Sequence, residues 1–215
     1  AIAFLQRAAG DAPSVAELQM LADLAERAAD IELARRTLAR LDALLPPDPA
    51  RAARRAALFI LDSRFDDALQ VMEGAKAAAD DGQRDFWRLY VALAQLVRND
   101  ERARSALERV TRFDDSDAFE QGDLVDLLSD VSPLAAAREA ERGWRRFGGS
   151  VWFLRTLELY AAAGQPAELA RLFGELQQPA QAAQRAEAER SAAFLQRRAQ
   201  WHLDGGRRAE AFADL

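Results

Sequence analysis

The chain has 215 residues, half of them apolar and 30% charged, and its 29 basic and 35 acidic residues give a net charge of −6. This composition supports a buried core and excludes a disordered tail, and the acidic balance argues against nucleic-acid binding, which requires excess positive charge. With no cysteine and one histidine, the sequence excludes disulfides, thiolate chemistry and zinc sites built from cysteine and histidine.

Apolar residues recur at spacings of three and four along the whole chain, between scarce prolines and glycines. This pattern predicts helices of roughly 12–20 residues throughout, since no segment alternates with the period of two that strands require. The longest apolar runs, such as residues 56–61, end at a charge well before the roughly 20 residues that span a bilayer. We therefore expect an all-α protein without a membrane-spanning segment.

One local pattern recurs along the chain. It consists of a residue directly after a turn, followed three positions later by a small residue, which we call the anchor. The anchor residues are Ala34, Ala68, Ala103, Ala136, Leu169 and, in a looser copy, Ala211. Their spacings are 34, 35, 33, 33 and 42 residues. Because a single helical hairpin cannot bury its apolar face alone, this period predicts hairpins that stack around a continuous core.

The 34-residue pattern resembles the tetratricopeptide repeat (TPR). Trp87, Tyr160, Gly164 and Pro46 stand at signature positions, and large residues follow the anchors by four positions, namely Leu38, Met72, Leu107, Phe173 and Leu215. The resemblance implies an all-α, right-handed superhelical solenoid whose first helices line a concave groove. Two residues depart from the pattern: Leu169 replaces the small anchor, and Arg55 stands where an apolar residue is usual.

The repeats divide the chain into segments, and we expect residues 1–215 to be an interior slice of one longer solenoid. Residues 1–13 are predicted to end a preceding repeat, with Leu5 and Ala8 at its large and small positions. Complete repeats are predicted near residues 15–48, 49–83, 84–116, 117–149 and 150–183, followed by an extended, truncated repeat over 184–215. The long last spacing places about two extra helical turns between Gln177 and Arg190.

The residues that could carry chemistry favour packing roles. His202 has no partner with which to form a metal site or a catalytic triad, and it is predicted to pack between the helices of the last hairpin. Trp87 and Phe153 occupy packing positions of the repeat, whereas Trp144 and Trp152 are expected to be more open. We therefore expect no catalytic residue, no cofactor and no bound metal.

The stretch from Asp114 to Asp130 is the most biased in the chain, with no basic residue between Arg112 and Arg138. Its spacing does not match a calcium-binding loop, and Asp117 with Glu120 predicts a capping box at a helix start. The remaining carboxylates predict an acidic surface for a partner or polymer. The predicted binding residues are Asp114, Asp115, Asp117, Asp123 and Asp126. Downstream, the arginines at 138, 142, 145 and 146 with Glu139 and Glu141 are expected to form a solvated face.

The TPR resemblance also implies which side chains face the groove. They are Gln19, Asp23, Glu26, Arg27, Arg88, Gln95, Gln121, Glu158, Gln196 and Gln200. This set is mixed and mildly acidic, without the paired basic residues and asparagines by which chaperone-binding TPR domains hold a peptide carboxylate. That function is therefore not expected.

Two classes of function fit the sequence. The first is a protein-interaction scaffold, since stacked hairpins present an extended surface and no catalytic constellation. The second is a fragment of a helical-toroid glycosidase or lyase that uses paired carboxylates, although six hairpins are about half of what such toroids contain. RNA recognition by a related repeat is disfavoured by the acidic balance.

Alanine- and arginine-rich segments, such as residues 21–27 and 152–160, are similar to the periplasmic TPR region of bacterial exopolysaccharide export proteins, above all those of the Pel system. The resemblance implies a periplasmic scaffold within a longer outer-membrane protein, whose partner is a polysaccharide deacetylase or hydrolase. A cationic polysaccharide is a possible second ligand. A generic cytoplasmic TPR adaptor stays the alternative.

Overall fold

A computed structural model describes residues 13–214. Within this range the chain forms thirteen α-helices and two short 3₁₀ helices, Lys76–Ala78 and Pro179–Gln181, and no strand. The α-helices are α1 (Val15–Arg27), α2 (Ile31–Leu44), α3 (Pro49–Ile60), α4 (Phe65–Ala75), α5 (Arg84–Leu96), α6 (Asp100–Val110), α7 (Ala118–Ser129), α8 (Pro133–Phe147), α9 (Ser150–Ala162), α10 (Pro166–Leu176), α11 (Ala182–Ala188), α12 (Ala192–Asp204) and α13 (Arg208–Asp214).

The helices pair in chain order as hairpins, which confirms the predicted all-α repeat architecture. The chain divides into two compact units, Ala1–Phe113 and Asp114–Leu215, which are called unit 1 and unit 2. Unit 1 contains the hairpins α1–α2, α3–α4 and α5–α6. Unit 2 contains α7–α8, α9–α10 and α12–α13. The predicted helix end over residues 1–13, with Leu5 and Ala8, lies outside the described residues except for Pro13.

The six anchor residues occupy equivalent places, because each is the fourth residue of the second helix of its hairpin. The five alanines are buried, and four of them have no exposed surface. A small side chain at this point lets the two helices of a hairpin approach closely. Leu169 departs from this rule, since a large side chain stands at the anchor position of the α9–α10 hairpin, where it is 9% exposed.

Ala68→Leu is expected to destabilise unit 1 by roughly 1–3 kcal/mol, because the larger side chain overpacks a closed helix crossing. The measurement is urea unfolding followed by circular dichroism. Ala57→Leu, on the exposed side of α3, is the matched control and should change stability little. Equal midpoints for the wild type and Ala68→Leu would show that this crossing tolerates bulk.

The turns inside the hairpins explain one irregularity of the repeat. In five of the six hairpins the residue five positions before the anchor has a positive φ, and these residues are Ala29, Ser63, Arg98, Gly164 and Gly206. Val131 takes this place in the fourth hairpin and does not adopt it, since a β-branched residue there would be strained. The turn is instead one residue tighter, with the Ser132 N–H bonded to the Leu128 carbonyl at 2.7 Å. The register of α7 is therefore shifted by one residue against the repeat.

The core of unit 2 is built around aromatic side chains of α8, α9 and α12. Trp144, expected to be open, is only 4% exposed and packs on Phe153, with ring centres 4.8 Å apart. Trp152 is half-buried and lies over Gly143, where a Cβ atom would come within 2.6 Å of the indole. Both tryptophans therefore pack in the structure, because the glycine of α8 makes room for the second ring.

The inserted residues before the last hairpin fold into the 3₁₀ helix Pro179–Gln181 and the short helix α11. Ala188 of α11 is buried in the core of unit 2. The Glu187 carboxylate accepts two hydrogen bonds from Ser150, one from the hydroxyl at 2.8 Å and one from the backbone N–H at 3.4 Å. The insertion thus covers the start of α9 and contributes to the core.

Candidate functional site

The predicted groove residues lie on the first helices of the hairpins, and nine of the ten are at least partly exposed. In unit 1 they come from α1 and α5, and in unit 2 from α9 and α12. The tenth, Gln121, is not available to a partner.

Gln121 is 1% exposed and its amide donates to the Glu139 carbonyl at 3.0 Å and to the Glu139 carboxylate at 3.1 Å. The one-residue shift of α7 moves it from the groove position into the packing position that Trp87 occupies in the preceding repeat. The expectation that Gln121 lines the groove is therefore wrong, and the cause is the tight turn at Val131.

An arginine joins neighbouring first helices in unit 1. Arg54 of α3 donates to the Asp23 carboxylate at 2.6 Å and to both carboxylate oxygens of Glu26 at 2.9 and 3.2 Å. The pKa of Arg54 is raised mainly by its hydrogen bond to Glu26, and the hydrogen bond to Asp23 raises it further. Two of the predicted groove acids, Asp23 and Glu26, therefore share Arg54 as their counterion on the groove surface of α1 and α3.

The same arrangement recurs in unit 2. Arg155 of α9 pairs with Asp126 of α7, and these two residues occupy the repeat positions of Arg54 and Asp23 once the shift of α7 is included. Asp126 therefore lies on the first-helix surface, and it has a counterion that comes from the next repeat.

The acidic stretch is divided by the fold into two parts. Asp114 and Asp115 lie in the connection before α7, where Arg146 donates to the Asp114 carbonyl at 2.7 Å, while Asp123 and Asp126 lie on the exposed side of α7. Asp117 caps α7, and the predicted capping box with Glu120 is present. Although no basic residue lies within the stretch, arginines of α8 and α9 reach it, so it is not an unpaired acidic surface.

Phe119 and Val151 are exposed apolar residues that accompany the charged groove surface of unit 2. Each is the second residue of a first helix, α7 or α9, and they are 84% and 78% exposed. Single exposed apolar residues are common on protein surfaces, so these two side chains do not by themselves define a contact surface. The sequence pattern alone did not single them out.

The four arginines of the predicted solvated face of α8 are exposed, and Arg145 and Glu141 of this face also take part in a network that joins two hairpins. Glu141 accepts hydrogen bonds from Arg145 at 2.7 Å, from Arg171 at 2.7 Å and from the Tyr160 hydroxyl at 2.8 Å. Arg145 and Arg171 also bond to Glu175. In unit 1 the Tyr90 hydroxyl bonds to Glu73, which follows its anchor alanine by the same five residues as Glu141. A glutamate–tyrosine hydrogen bond therefore joins consecutive hairpins in both units. The glutamates occupy the same repeat position, but the tyrosines do not, since Tyr90 precedes its anchor by 13 residues and Tyr160 by 9.

Burial by itself would raise the pKa of Glu141, but the hydrogen bonds from Arg145, Tyr160 and Arg171 outweigh it and leave the pKa below its ordinary value of 4.5. For Tyr160, burial and the bond to Glu141 raise the pKa to about 12. The carboxylate is thus the form that the folded network stabilises.

Glu141→Gln is expected to lower the stability of unit 2 at pH 7 by about 1–3 kcal/mol, as for a lost hydrogen-bonded charge. Because the folded pKa of Glu141 is depressed, its contribution is present above the unfolded pKa and is lost as the pH falls through the folded pKa. The difference between variant and wild type should therefore shrink below about pH 4. Urea unfolding at pH 7 and pH 3.5 measures this difference in stability. The control is Glu158→Gln, a change at an exposed glutamate of α9. A difference that does not change with pH would contradict the ionic role.

Within residues 13–214, no cluster of three or more histidine, cysteine, aspartate or glutamate side chains is arranged to hold a metal ion. His202 packs beside α13, with its Nε2 3.8 Å from an Asp214 carboxylate oxygen. None of the helices in the described part of the chain is long and apolar enough to cross a membrane.

The profile of the tetratricopeptide repeat matches residues 40–215. The chain belongs to the tetratricopeptide-repeat family. TPR repeats serve as protein-interaction scaffolds, so the general function expected from the period is supported. No curated protein matches the sequence significantly.

One solved TPR structure shares this fold at low sequence identity, and two further solved structures align less closely. YrrB, a TPR protein with an unusual peptide-binding site, aligns with a TM-score of 0.51 at 12% identity, over 80% of this chain and 90% of its own. A TPR protein from Parabacteroides merdae aligns with a TM-score of 0.49 at 13% identity, over 99% and 82%. MamA aligns with a TM-score of 0.47 at 13% identity, over 74% and 88%. At this identity the likeness to YrrB shows the TPR fold alone.

Proposed function

We propose that this TPR chain is a non-catalytic docking scaffold for a polysaccharide-modifying enzyme, a deacetylase or hydrolase, at an outer-membrane exopolysaccharide export channel. In this proposal it is a periplasmic part of a longer outer-membrane protein similar to PelB. The resemblance of its alanine- and arginine-rich helices to that class supports the setting, and the TPR family supports the role of scaffold.

The observation that carries the proposal is the repeated charged surface of the first helices. Acids on one first helix pair with an arginine on the next, as in Asp23 with Arg54 and Asp126 with Arg155. Exposed pairs of this kind contribute little to folding, and a partner's charges readily compete for them. The surface is therefore suited to a protein whose contact face carries both signs of charge.

In unit 2 the same surface combines apolar and acidic groups. Phe119 and Val151 supply exposed apolar area at the starts of α7 and α9, while Asp126 and Glu158 supply carboxylates further along these helices. Apolar anchors carry most of the affinity of a protein contact, and the charges steer association. An amino-sugar polymer that has lost some of its N-acetyl groups is cationic, so the carboxylates also fit the polymer that the proposed partner modifies.

The test is a titration of the purified chain with the periplasmic deacetylase–hydrolase of a Pel-type system, and separately with a chitosan oligomer as a cationic probe. Binding should weaken with salt, because exposed charges are screened beyond about 8–10 Å at physiological ionic strength. The charge-reversal variant Asp126→Lys/Glu158→Lys should slow association with either ligand, and Phe119→Ser should speed dissociation of the enzyme.

The matched control reverses two exposed acids on second helices, Asp66→Lys/Glu101→Lys, which changes the net charge equally and should leave association unchanged. Circular dichroism must show the same helical content in all variants. If wild type and variants bind with equal affinity at both low and high salt, Asp126, Glu158 and Phe119 take no part in binding and the proposed contact surface is wrong. Turnover of a glycosidic or acyl substrate by the chain alone, lost on changing one carboxylate pair, would contradict the non-catalytic role.

A further inference from the structure

An open crevice of about 620 Å³ lies in unit 1 between the end of α4 and α6. It is on the side of the second helices, whereas the groove surface belongs to the first helices, and no predicted groove residue lines it. The lining residues are Glu73, Lys76, Ala77, Ala79, Trp87, Ser105, Glu108, Arg109 and Arg112. The crevice is therefore a separate place at which a ligand could bind.

Basic side chains converge on this crevice although the chain as a whole carries a net charge of −6. Lys76, the single lysine in the sequence, lines it together with Arg109 and Arg112. One of the two lining acids, Glu73, is already engaged, because it accepts the Tyr90 hydroxyl and also has the Lys76 and Arg102 side-chain nitrogens at 3.7 Å. The crevice thus has more positive charge than its own carboxylates neutralise.

Arg109 is held in a defined orientation. Its guanidinium carbon lies 4.5 Å from the centre of the Trp87 ring, and that indole is itself fixed by a 2.9 Å hydrogen bond from Nε1 to the Asp80 carbonyl. A guanidinium stacked on an aromatic ring keeps its N–H edge free to bond a carboxylate in its own plane. The side chain is therefore arranged in advance for a planar anion.

The present partner of Arg109 is easily replaced. Asp81 lies 3.1 Å from Arg109 Nε, in a pair in which both side chains are exposed, and such pairs contribute little. Among the described residues, no carboxylate forms an ion pair with Arg112. An incoming carboxylate could therefore bond to Arg109 in place of Asp81, with Arg112 and the Ser105 hydroxyl as neighbouring donors.

We infer that this crevice binds acidic side chains of a partner protein, with Arg109, Arg112 and Lys76 as the carboxylate-binding residues. The inference extends the proposed scaffold role to a second surface, but it does not depend on the identity of the enzyme or polymer.

The probe is a capped tetraglutamate peptide, compared with capped tetraglutamine. Proton–nitrogen NMR follows the indole N–H of Trp87 and the Nε–H of Arg109. Tetraglutamate should shift both signals in a saturable manner, and tetraglutamine should not. Arg112→Gln and Lys76→Gln, which leave the Arg109–Trp87 stack in place, should each weaken binding several-fold, and Arg109→Gln should weaken it at least tenfold.

Arg104→Gln, on α6 but outside the crevice lining, is the control and should bind tetraglutamate as the wild type does. The groove variant Asp126→Lys/Glu158→Lys should also retain it, so failure of the proposed function and failure of this site are distinguishable. The inference is overturned if tetraglutamate leaves the Trp87 indole signal unchanged. It is equally overturned if Arg109→Gln and Arg104→Gln bind alike, or if the indoles of Trp144 and Trp201 shift as much as that of Trp87.

Discussion

Gly143→Leu is expected to destabilise unit 2 by about 2–3 kcal/mol, although leucine is the residue at the equivalent position of other repeats. Leu41 and Leu176 stand at this position, seven residues after their anchors, and both are buried. In the fourth hairpin the Trp152 ring takes the space, so that even a Cβ atom on Gly143 would come within 2.6 Å of it. The cost is that of overpacking, and only a small part is offset by the better helix propensity of leucine.

Gly174→Leu is the matched control, because Gly174 is also in a second helix of unit 2, α10, and no atom lies within 4 Å of its virtual Cβ. That variant should be as stable as the wild type or gain up to about 1 kcal/mol. Urea unfolding compares the two, and the double variant Gly143→Leu/Trp152→Ala should recover part of the loss because the ring is removed. If Gly143→Leu is as stable as the wild type, the close packing of α8 on the indole is contradicted.

The sequence predicted the repeat because its signal is local and recurs. Each anchor, such as Ala34 or Ala103, lies at a fixed distance from a turn, and this distance depends only on backbone geometry within one hairpin. The capping box of Asp117 and Glu120 was predictable for the same reason, since both partners lie within one helical turn. Structural features whose partners lie within a single repeat could therefore be predicted from the sequence alone.

The error at Gln121 shows where such counting fails. The repeat numbering assumes that every turn has the same length, but Val131 cannot take the positive φ that Ala29 or Gly164 adopts in the corresponding turn. A β-branched residue at a position that requires a left-handed backbone was a signal present in the sequence. Its consequence, a one-residue shift of α7, places Gln121 in the interior.

The partners of the groove acids could not be identified from one repeat alone. Arg54 lies 31 residues after Asp23, and Arg155 lies 29 residues after Asp126, because each pair joins first helices of consecutive hairpins. The packing of Trp152 on Gly143 likewise depends on how closely α8 and α9 approach. These contacts depend on how consecutive repeats stack. The 34-residue period predicts that the repeats stack, but not which side chains meet between them.

Phe153→Ala is expected to destabilise unit 2 by about 3–5 kcal/mol, the largest effect of any substitution considered. Phe153 has no exposed surface and contacts two further aromatic rings, with centre distances of 4.8 Å to Trp144 and 6.1 Å to Phe194. Truncation leaves a cavity between α8, α9 and α12 that the two remaining rigid rings, Trp144 and Phe194, cannot close. Urea unfolding, with hydrogen exchange of the α9 amides, measures the loss, and Val151→Ala, an exposed residue of the same helix, should change neither by more than about 0.5 kcal/mol. If Phe153→Ala costs no more than Val151→Ala, the aromatic cluster does not hold the hairpins of unit 2 together.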